Sequence, residues 1–243
     1  MAKNTVLILG ASSDVGKALA EYYYSNGYGL VLAARNTSVV ENYLSEWPDK
    51  NDVKLLPFDA SECNQHKMWF ANMGIVPDIT ICVFGYLGDQ EKAIHNWEEC
   101  NQIITSNFSG AVSILNVVAE VYREKKRGVI AGISSVAGDR GRQSNYLYGS
   151  AKAGFTAYLS GLRNSLLPSG VHVLTVKPGF INTKMTARLN LPKLLTAQPA
   201  QVAKAVYLGC KNRRNTIYIL PIWRLIMLVI RWIPEFIFKR LKL

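Results

Sequence analysis

The chain has 243 residues, 49% of them hydrophobic and 19% charged, with a formal net charge of +11. That length and balance suit one sizeable core, exclude a disordered or repetitive chain, and match an α/β fold built as a single domain. Four scattered cysteines (Cys63, Cys82, Cys100, Cys210) without a Cys-x-x-Cys pair point to reduced thiols, and His66, His95 and His172 lack the spacing of metal ligands.

Met1-Ala2-Lys3-Asn4 runs straight into an apolar stretch with no cleavable-signal pattern, so a cytoplasmic location is expected. Basic residues are dispersed until they concentrate late, at Arg213, Arg214, Arg224, Arg231, Lys239 and Arg240. That placement favours an anionic cofactor and an anionic membrane surface over nucleic acid, for which no basic aromatic strand surface or recognition-helix pattern exists.

In chain order, Thr5–Leu9 is a short apolar run ending in glycine, as expected of a buried parallel strand. The turn Gly10-Ala11-Ser12-Ser13-Asp14-Val15-Gly16 leads from it into a helix through Lys17-Ala18-Leu19-Ala20. Free backbone N–H groups and the helix dipole at such a junction favour a pyrophosphate. The Asp14 carboxylate would repel that group, so it is expected to point away and serve the helix N-terminus. Further strands are predicted over residues 28–34, 53–58, 79–84, 128–133 and 171–176, with periodic helices over 107–122 and 145–167 between them. This alternation predicts a parallel, doubly wound sheet with helices on both faces. At the end of the second strand, Leu32-Ala33-Ala34-Arg35 offers no carboxylate for a ribose diol and sets an arginine where a 2′-phosphate would sit, which favours NADP(H) over NAD(H).

Tyr148 and Lys152 lie one helical turn apart on one face, where the ammonium is expected to favour the phenolate and let the phenol exchange a proton near neutral pH. A lone Tyr-x-x-x-Lys is weak, since 12 tyrosines supply about one by chance. Here it stands with Ser135, 13 residues upstream, and Asn107 in Ser106-Asn107-Phe108-Ser109-Gly110. Asp59-Ala60 precedes both, and Pro178-Gly179-Phe180-Ile181-Asn182-Thr183 follows.

Taken in this order, the motifs resemble those of the short-chain dehydrogenase/reductase family, from about residue 4 to about residue 219. The resemblance implies a Rossmann-like fold and an oxidoreductase in which Tyr148 is the general acid in reduction and Ser135 polarises the carbonyl. Lys152 would depress the tyrosine pKa and bond the nicotinamide ribose, and Asn107 would hold a relay water in a helix kink. It also implies that NADP(H) meets Gly10, Ser12, Ser13, Asp14, Val15, Gly16, Arg35, Asp59, Ala60, Gly85, Lys152, Pro178, Gly179, Ile181 and Thr183, with residues 184–194 as a substrate lid and a homo-oligomeric assembly. Two departures stand out: Asp14 replaces a glycine of the turn, and Val83-Phe84-Gly85 replaces Asn-Ala-Gly.

Residues 1–220 thus read as the dinucleotide-binding domain and 221–243 as an amphipathic basic tail. Arg224, Arg231 and Pro234 interrupt the tail too often for a spanning helix. Ile222, Leu225, Ile226, Val229, Ile230 and Ile233 are expected on one face, with Trp223 and Trp232 suited to a membrane interface. Packing across a subunit interface is the alternative. Ile222-Trp223-Arg224-Leu225-Ile226-Met227 and Ile233-Pro234-Glu235-Phe236-Ile237-Phe238-Lys239-Arg240 resemble the endings of keto-reductase subunits of decaprenylphosphoryl-ribose 2′-epimerases. That resemblance implies a polyprenyl-phosphoryl 2-keto-pentose substrate and a flavin-dependent oxidase as partner. Reduction of another apolar ketone (a sterol, retinoid or 3-keto lipid) and a non-catalytic NADP-binding regulator remain the alternatives.

Overall fold

The computed structural model describes residues 3–187 and 189–241. In chain order the elements are β1 (Thr5–Leu9), α1 (Asp14–Ser25), β2 (Gly29–Ala34), α2 (Thr37–Leu44), β3 (Val53–Pro57), α3 (His66–Ala71), β4 (Ile79–Cys82), α4 (Gln90–His95), α5 (Trp97–Ile104), α6 (Gly110–Lys125), β5 (Val129–Ile133), α7 (Tyr146–Leu166), β6 (His172–Pro178), β7 (Phe180–Ile181), β8 (Thr196–Ala197), α8 (Pro199–Lys211), β9 (Thr216–Ile219), α9 (Ile222–Trp232) and α10 (Glu235–Phe238). A π-helical turn, Thr105–Ser109, carries α5 into α6.

Seven strands form one sheet in the order β3-β2-β1-β4-β5-β6-β9, every pair parallel. Alternate residues of each strand face opposite layers. Val6 and Ile8 join Leu19, Val202 and Val206 beneath α1 and α8, whereas Leu7 and Leu9 join Ile114, Val118, Phe155 and Leu159 beneath α6 and α7. The expected fold is therefore present, with small shifts at the ends of strands. The predicted strand 79–84 stops at Cys82 because the N–H groups of Val83 and Phe84 both turn to Leu9 O. The strand predicted over 171–176 continues through Lys177 and Pro178, which pair with Tyr218 and Ile219 of β9. Strand order reverses between β1 and β4, which opens a crevice at their carboxyl ends.

The C-terminal helix departs from expectation. Trp223 and Met227 are buried, and with Ile226 and Ile230 they pack on Val136, Phe180, Leu195 and Tyr218. The face turned outward is Ile222, Leu225, Leu228, Val229 and Trp232. The predicted stripe is thus split, and Trp223, at 4% exposure, is a core residue whereas Trp232, at 79%, is free. The physical reason is that apolar side chains cover all of α9 but the strip that holds Arg224 and Arg231, a band wider than the core beneath it, so periodicity alone could not choose its inner face. Gly179 makes the choice: a β-carbon there would overlap the Trp223 indole, whose Nε1 donates to Leu195 O at 3.1 Å. Arg140 then clamps the end of the helix. Its Nη1 donates to Ile230 O and Ile233 O, each at 2.6 Å, its Nη2 bonds Glu235 Oε2 at 2.8 Å, and its guanidinium lies 3.6 Å from the Phe238 ring centroid.

Gly179→Ala is expected to destabilise the protein by about 1–3 kcal/mol, the usual cost of overpacking, and to loosen α9. A lower denaturation midpoint with a red-shifted tryptophan emission checks this, and an unchanged midpoint contradicts the packing assigned to Trp223.

Candidate active site

The crevice is made by backbones that approach too closely for side chains. A β-carbon on Gly10 would lie 2.7 Å from Phe84 N, and one on Gly85 would lie 2.7 Å from Asn107 Oδ1 and 3.4 Å from Lys152 Nζ. Phe84, where the family carries a small residue, covers the Gly10 turn and packs 5.8 Å from the Phe58 ring.

In the turn itself Ser13, not Asp14, caps α1: its Oγ accepts from the Gly16 N–H at 3.0 Å and donates to Gly10 O at 2.8 Å. Asp14 is the first residue of α1, and its carboxylate reaches across to accept from the Lys184 N–H at 2.7 Å. Asp14 stands in the first turn of α1, where its charge serves the helix N-terminus as expected, but the cap is Ser13, and the carboxylate also ties the turn to the segment predicted as a lid. Ser12 is exposed, and the Val15 side chain is buried in the core below.

Arg35, Asp59, Ala60, Phe84 and Gly85 line one pocket of about 340 Å³, together with Thr105 and Ser106. Burial tends to raise the Asp59 carboxyl, but hydrogen bonds from Ser61 N–H and Oγ, helped by the Arg35 charge, hold it below the usual range. At the other end of the crevice, Pro178 closes β6, Ile181 pairs with Ala197, and the Thr183 and Thr186 hydroxyls meet at 3.3 Å.

Asn107 sits in the π-helical turn, buried. Its Nδ2 donates to Tyr86 O at 2.6 Å and Ile103 O at 2.8 Å, and its Oδ1 accepts from the Tyr86 N–H at 3.3 Å. The widened turn lets this side chain satisfy its own helix and brace residues 85–86 together. Ser135 Oγ accepts from the Ala137 N–H at 3.1 Å, and the same hydroxyl is near enough to the Tyr148 phenol to favour its ionised form. Ser134 faces away, bonded to Lys152 O and Thr156 Oγ1. Lys152 is buried, donates from Nζ to Ile133 O at 3.0 Å, and lies 5.8 Å from the Tyr148 ring centroid.

These positions overturn one electrostatic expectation. Burial pushes the Tyr148 phenol up to about 12, with only the Ser135 hydrogen bond pulling it down. Burial likewise brings Lys152 down to about 8, opposed by nearby Cys82. Desolvation dominates at both groups, so the phenol is held protonated rather than ionised near neutral pH.

Several supporting residues carried no motif in the sequence. Glu99, buried, accepts from Tyr86 OH at 2.9 Å and the Asp89 N–H at 3.0 Å, fixing the loop after β4. Asp139 bonds Lys177 through one oxygen and Tyr218 OH through the other at 2.8 Å, joining the Ser135 loop to β6 and β9. An acid lodged among Val136-Ala137-Gly138 is the only hint the sequence offers of the second.

The sequence profile described as short chain dehydrogenase matches residues 4–193. An uncharacterized oxidoreductase of Streptomyces coelicolor is 32% identical over 98% of this chain and 95% of its own length. One from Mycobacterium tuberculosis is 31% identical over 97% and 96%. A short-chain dehydrogenase from Sphingobium yanoikuyae in complex with NADPH superposes with a TM-score of 0.80 at 25% identity, covering 88% of this chain and 87% of its own. The chain belongs to the short chain dehydrogenase family and is an NAD(P)-dependent oxidoreductase of that family. A Burkholderia cenocepacia member in complex with NADP, at 18% identity and a TM-score of 0.83, covers 98% of this chain and 97% of its own and shares the fold.

With Lys152 charged below about pH 8 and neutral above it, and Tyr148 protonated until about 12, reduction that needs both in their protonated forms is expected to decline as pH rises through about 8. The profile of kcat/KM between pH 6 and 10 checks this; a flat profile to pH 10 contradicts it.

Proposed function

We propose that the protein is an NADP(H)-dependent keto-reductase acting on a lipid-linked, polyprenyl-phosphoryl 2-keto sugar in cell-envelope biosynthesis, at the cytoplasmic membrane face. The observation that carries the reaction is the grouping of the Tyr148 phenol with the buried Ser135 hydroxyl and the buried Lys152, whose Nζ lies 5.8 Å from the phenol ring centroid. NADPH, when bound, supplies the hydride that adds to the carbonyl carbon. The Ser135 hydroxyl donates to the ketone oxygen and draws electron density from the carbon. Tyr148 passes its proton to that oxygen as the C–O bond becomes single, so ketone, hydride and proton give one alcohol. Lys152 stabilises the tyrosinate left behind and bonds the nicotinamide ribose, and Asn107 keeps Gly85 and Tyr86 in place and orders the relay water that returns the proton.

The choice of NADP(H) rests on Arg35, which ends β2 without a neighbouring carboxylate and lines the pocket with Asp59. The glycine turn, with room for no side chain at Gly10 or Gly16 and a helix N-terminus beyond, suits a pyrophosphate. Within the same assignment Ser12, Ser13, Val15 and Ala60 contribute backbone or edge contacts, and Pro178, Gly179, Ile181 and Thr183 flank the nicotinamide. The complex of the Sphingobium yanoikuyae enzyme with NADPH supports this choice.

The substrate class rests on the tail. The outward face of α9, continued by Phe236 and Ile237, is apolar, and exposed Arg224, Arg231, Lys239 and Arg240 surround it. Such a surface suits the interface of an anionic bilayer, where a lipid-linked ketone made by a flavin-dependent oxidase would be met.

Tyr148→Phe is expected to leave NADPH affinity near that of the unmutated protein and lower ketone turnover by at least about 10²–10⁴-fold, while Arg35→Ala weakens NADPH binding by about 1.5–3 kcal/mol. Steady-state kinetics and cofactor titration decide both, and a preference of the unmutated protein for NADH defeats the cofactor assignment. For the membrane reading, flotation with anionic but not neutral vesicles is expected, and Leu225→Glu with Trp232→Glu abolishes it. Sedimentation is the control: if those substitutions change only the subunit number, the face serves a second copy and the membrane reading is dropped.

A further inference from the structure

Among the described residues four buried side-chain polar atoms have no hydrogen-bond partner: Tyr23 Oη, Gln90 Nε2, Arg142 Nε and Asn145 Oδ1. Unpartnered polar atoms are costly and rare in folded interiors, so a group of them needs a cause. Tyr23 is a buried residue of α1 beside Cys210. The other three flank Tyr148. Asn145 immediately precedes α7, its N–H donates to Arg142 O at 3.3 Å, and Gln90 Oε1 accepts from the Leu147 N–H at 3.1 Å, leaving its amide N–H groups to spare.

Arg142 is the informative member. Its Nη2 lies 3.2 Å from Met227 Sδ, and a thioether is a weak acceptor for a cation. The carboxylate of its own loop, Asp139, has one oxygen taken by Lys177 and the other by Tyr218, and Glu235 is taken by Arg140. The loop and its surroundings thus hold three cations against two acids, and among the described residues Arg142 has no ion pair. Burial lowers its pKa while the Asp139 charge works the other way, and a guanidinium stays protonated in either case. A half-buried guanidinium without a counter-ion, six residues before the reacting phenol, has the chemistry of an oxyanion receptor.

We propose that Arg142, Gln90 and Asn145 form the substrate-head subsite beside Tyr148, in which Arg142 takes a phosphate ester and Gln90 Nε2 and Asn145 Oδ1 each meet a sugar hydroxyl. The assignment rests on the keto-reductase reading and names the residues that hold the phosphate ester and hydroxyl groups of its substrate. An anionic lipid headgroup would offer the same phosphate chemistry, and the test separates the two sources.

Calorimetric titration of the NADP(H)-saturated full chain with ribose 5-phosphate and with ribose reads the subsite without turnover. The phosphorylated sugar is expected to bind at least 10-fold more tightly. Arg142→Met should lower its affinity by on the order of 10–100-fold and erase the preference, Arg142→Lys should restore part of it, and Gln90→Met should weaken both sugars alike. NADPH affinity and the thermal midpoint of each variant verify its fold, with Arg142→Lys as the variant that keeps the charge if the methionine variant does not fold. Equal affinity of the unmutated protein for the two sugars, or a preference that survives Arg142→Met, overturns the proposal. So does a loss confined to flotation on anionic vesicles, which would make Arg142 a headgroup contact. If the sugar phosphate is preferred through Arg142 but no ketone is reduced, the subsite stands and the keto-reductase reading fails.

Discussion

The contact between the turn after β1 and the segment after β4 is the constraint on which the site depends. These strands are neighbours in the sheet yet send their chains to opposite sides, so their carboxyl ends cannot both be covered by one helix. Gly10 touches the Phe84 backbone, Gly85 touches Asn107 and Lys152, and no added methyl fits at either place. Through these contacts the sheet sets the distance between the glycine turn, the π-helical turn and the Tyr148 helix. Any one of them could be moved only by breaking a strand pairing or opening the crevice.

Burial then determines the state of the reactive groups. The start of α7 leaves Lys152 buried and Tyr148 half-buried, where water gives their charged forms less support than in solution. The phenol is therefore raised and the ammonium lowered, in opposite senses for the same reason. A proton donor in reduction benefits from the first shift, since it must carry its proton when the carbonyl arrives. Hydrogen bonds do the positioning: Asn107 braces Tyr86, the Glu99 carboxylate braces the loop beyond, and Ile133 O holds Lys152.

The C-terminal helix belongs mechanically to the loop that carries Ser135. Val136, the next residue, packs on Trp223 and Met227, and Arg140 holds the carbonyls at the end of α9. Asp139 links the same loop to β6 and β9. The helix therefore has two working faces: the inner one helps hold the catalytic loop, and the outer one presents Leu225, Leu228, Val229 and Trp232 to whatever the protein approaches.

By itself the sequence determined the alternation of strands and helices, the single parallel sheet, and the family of the chain. Those features are written in local signals: apolar runs, the Gly10–Gly16 turn, the four-residue interval from Tyr148 to Lys152. Only the tertiary structure decided the rest. The partner of the Asp14 carboxylate is a backbone N–H delivered by Lys184, 170 residues away. The inner face of α9 turned on the space at Gly179, and the protonation of Tyr148 on burial by distant elements. Among the described residues Arg142 lacks a counter-ion because Lys177 and Tyr218 take both oxygens of Asp139. Spacing along a chain records which side chains share a face; competition for one partner, and the removal of water from a charge, exist only once the chain has closed on itself.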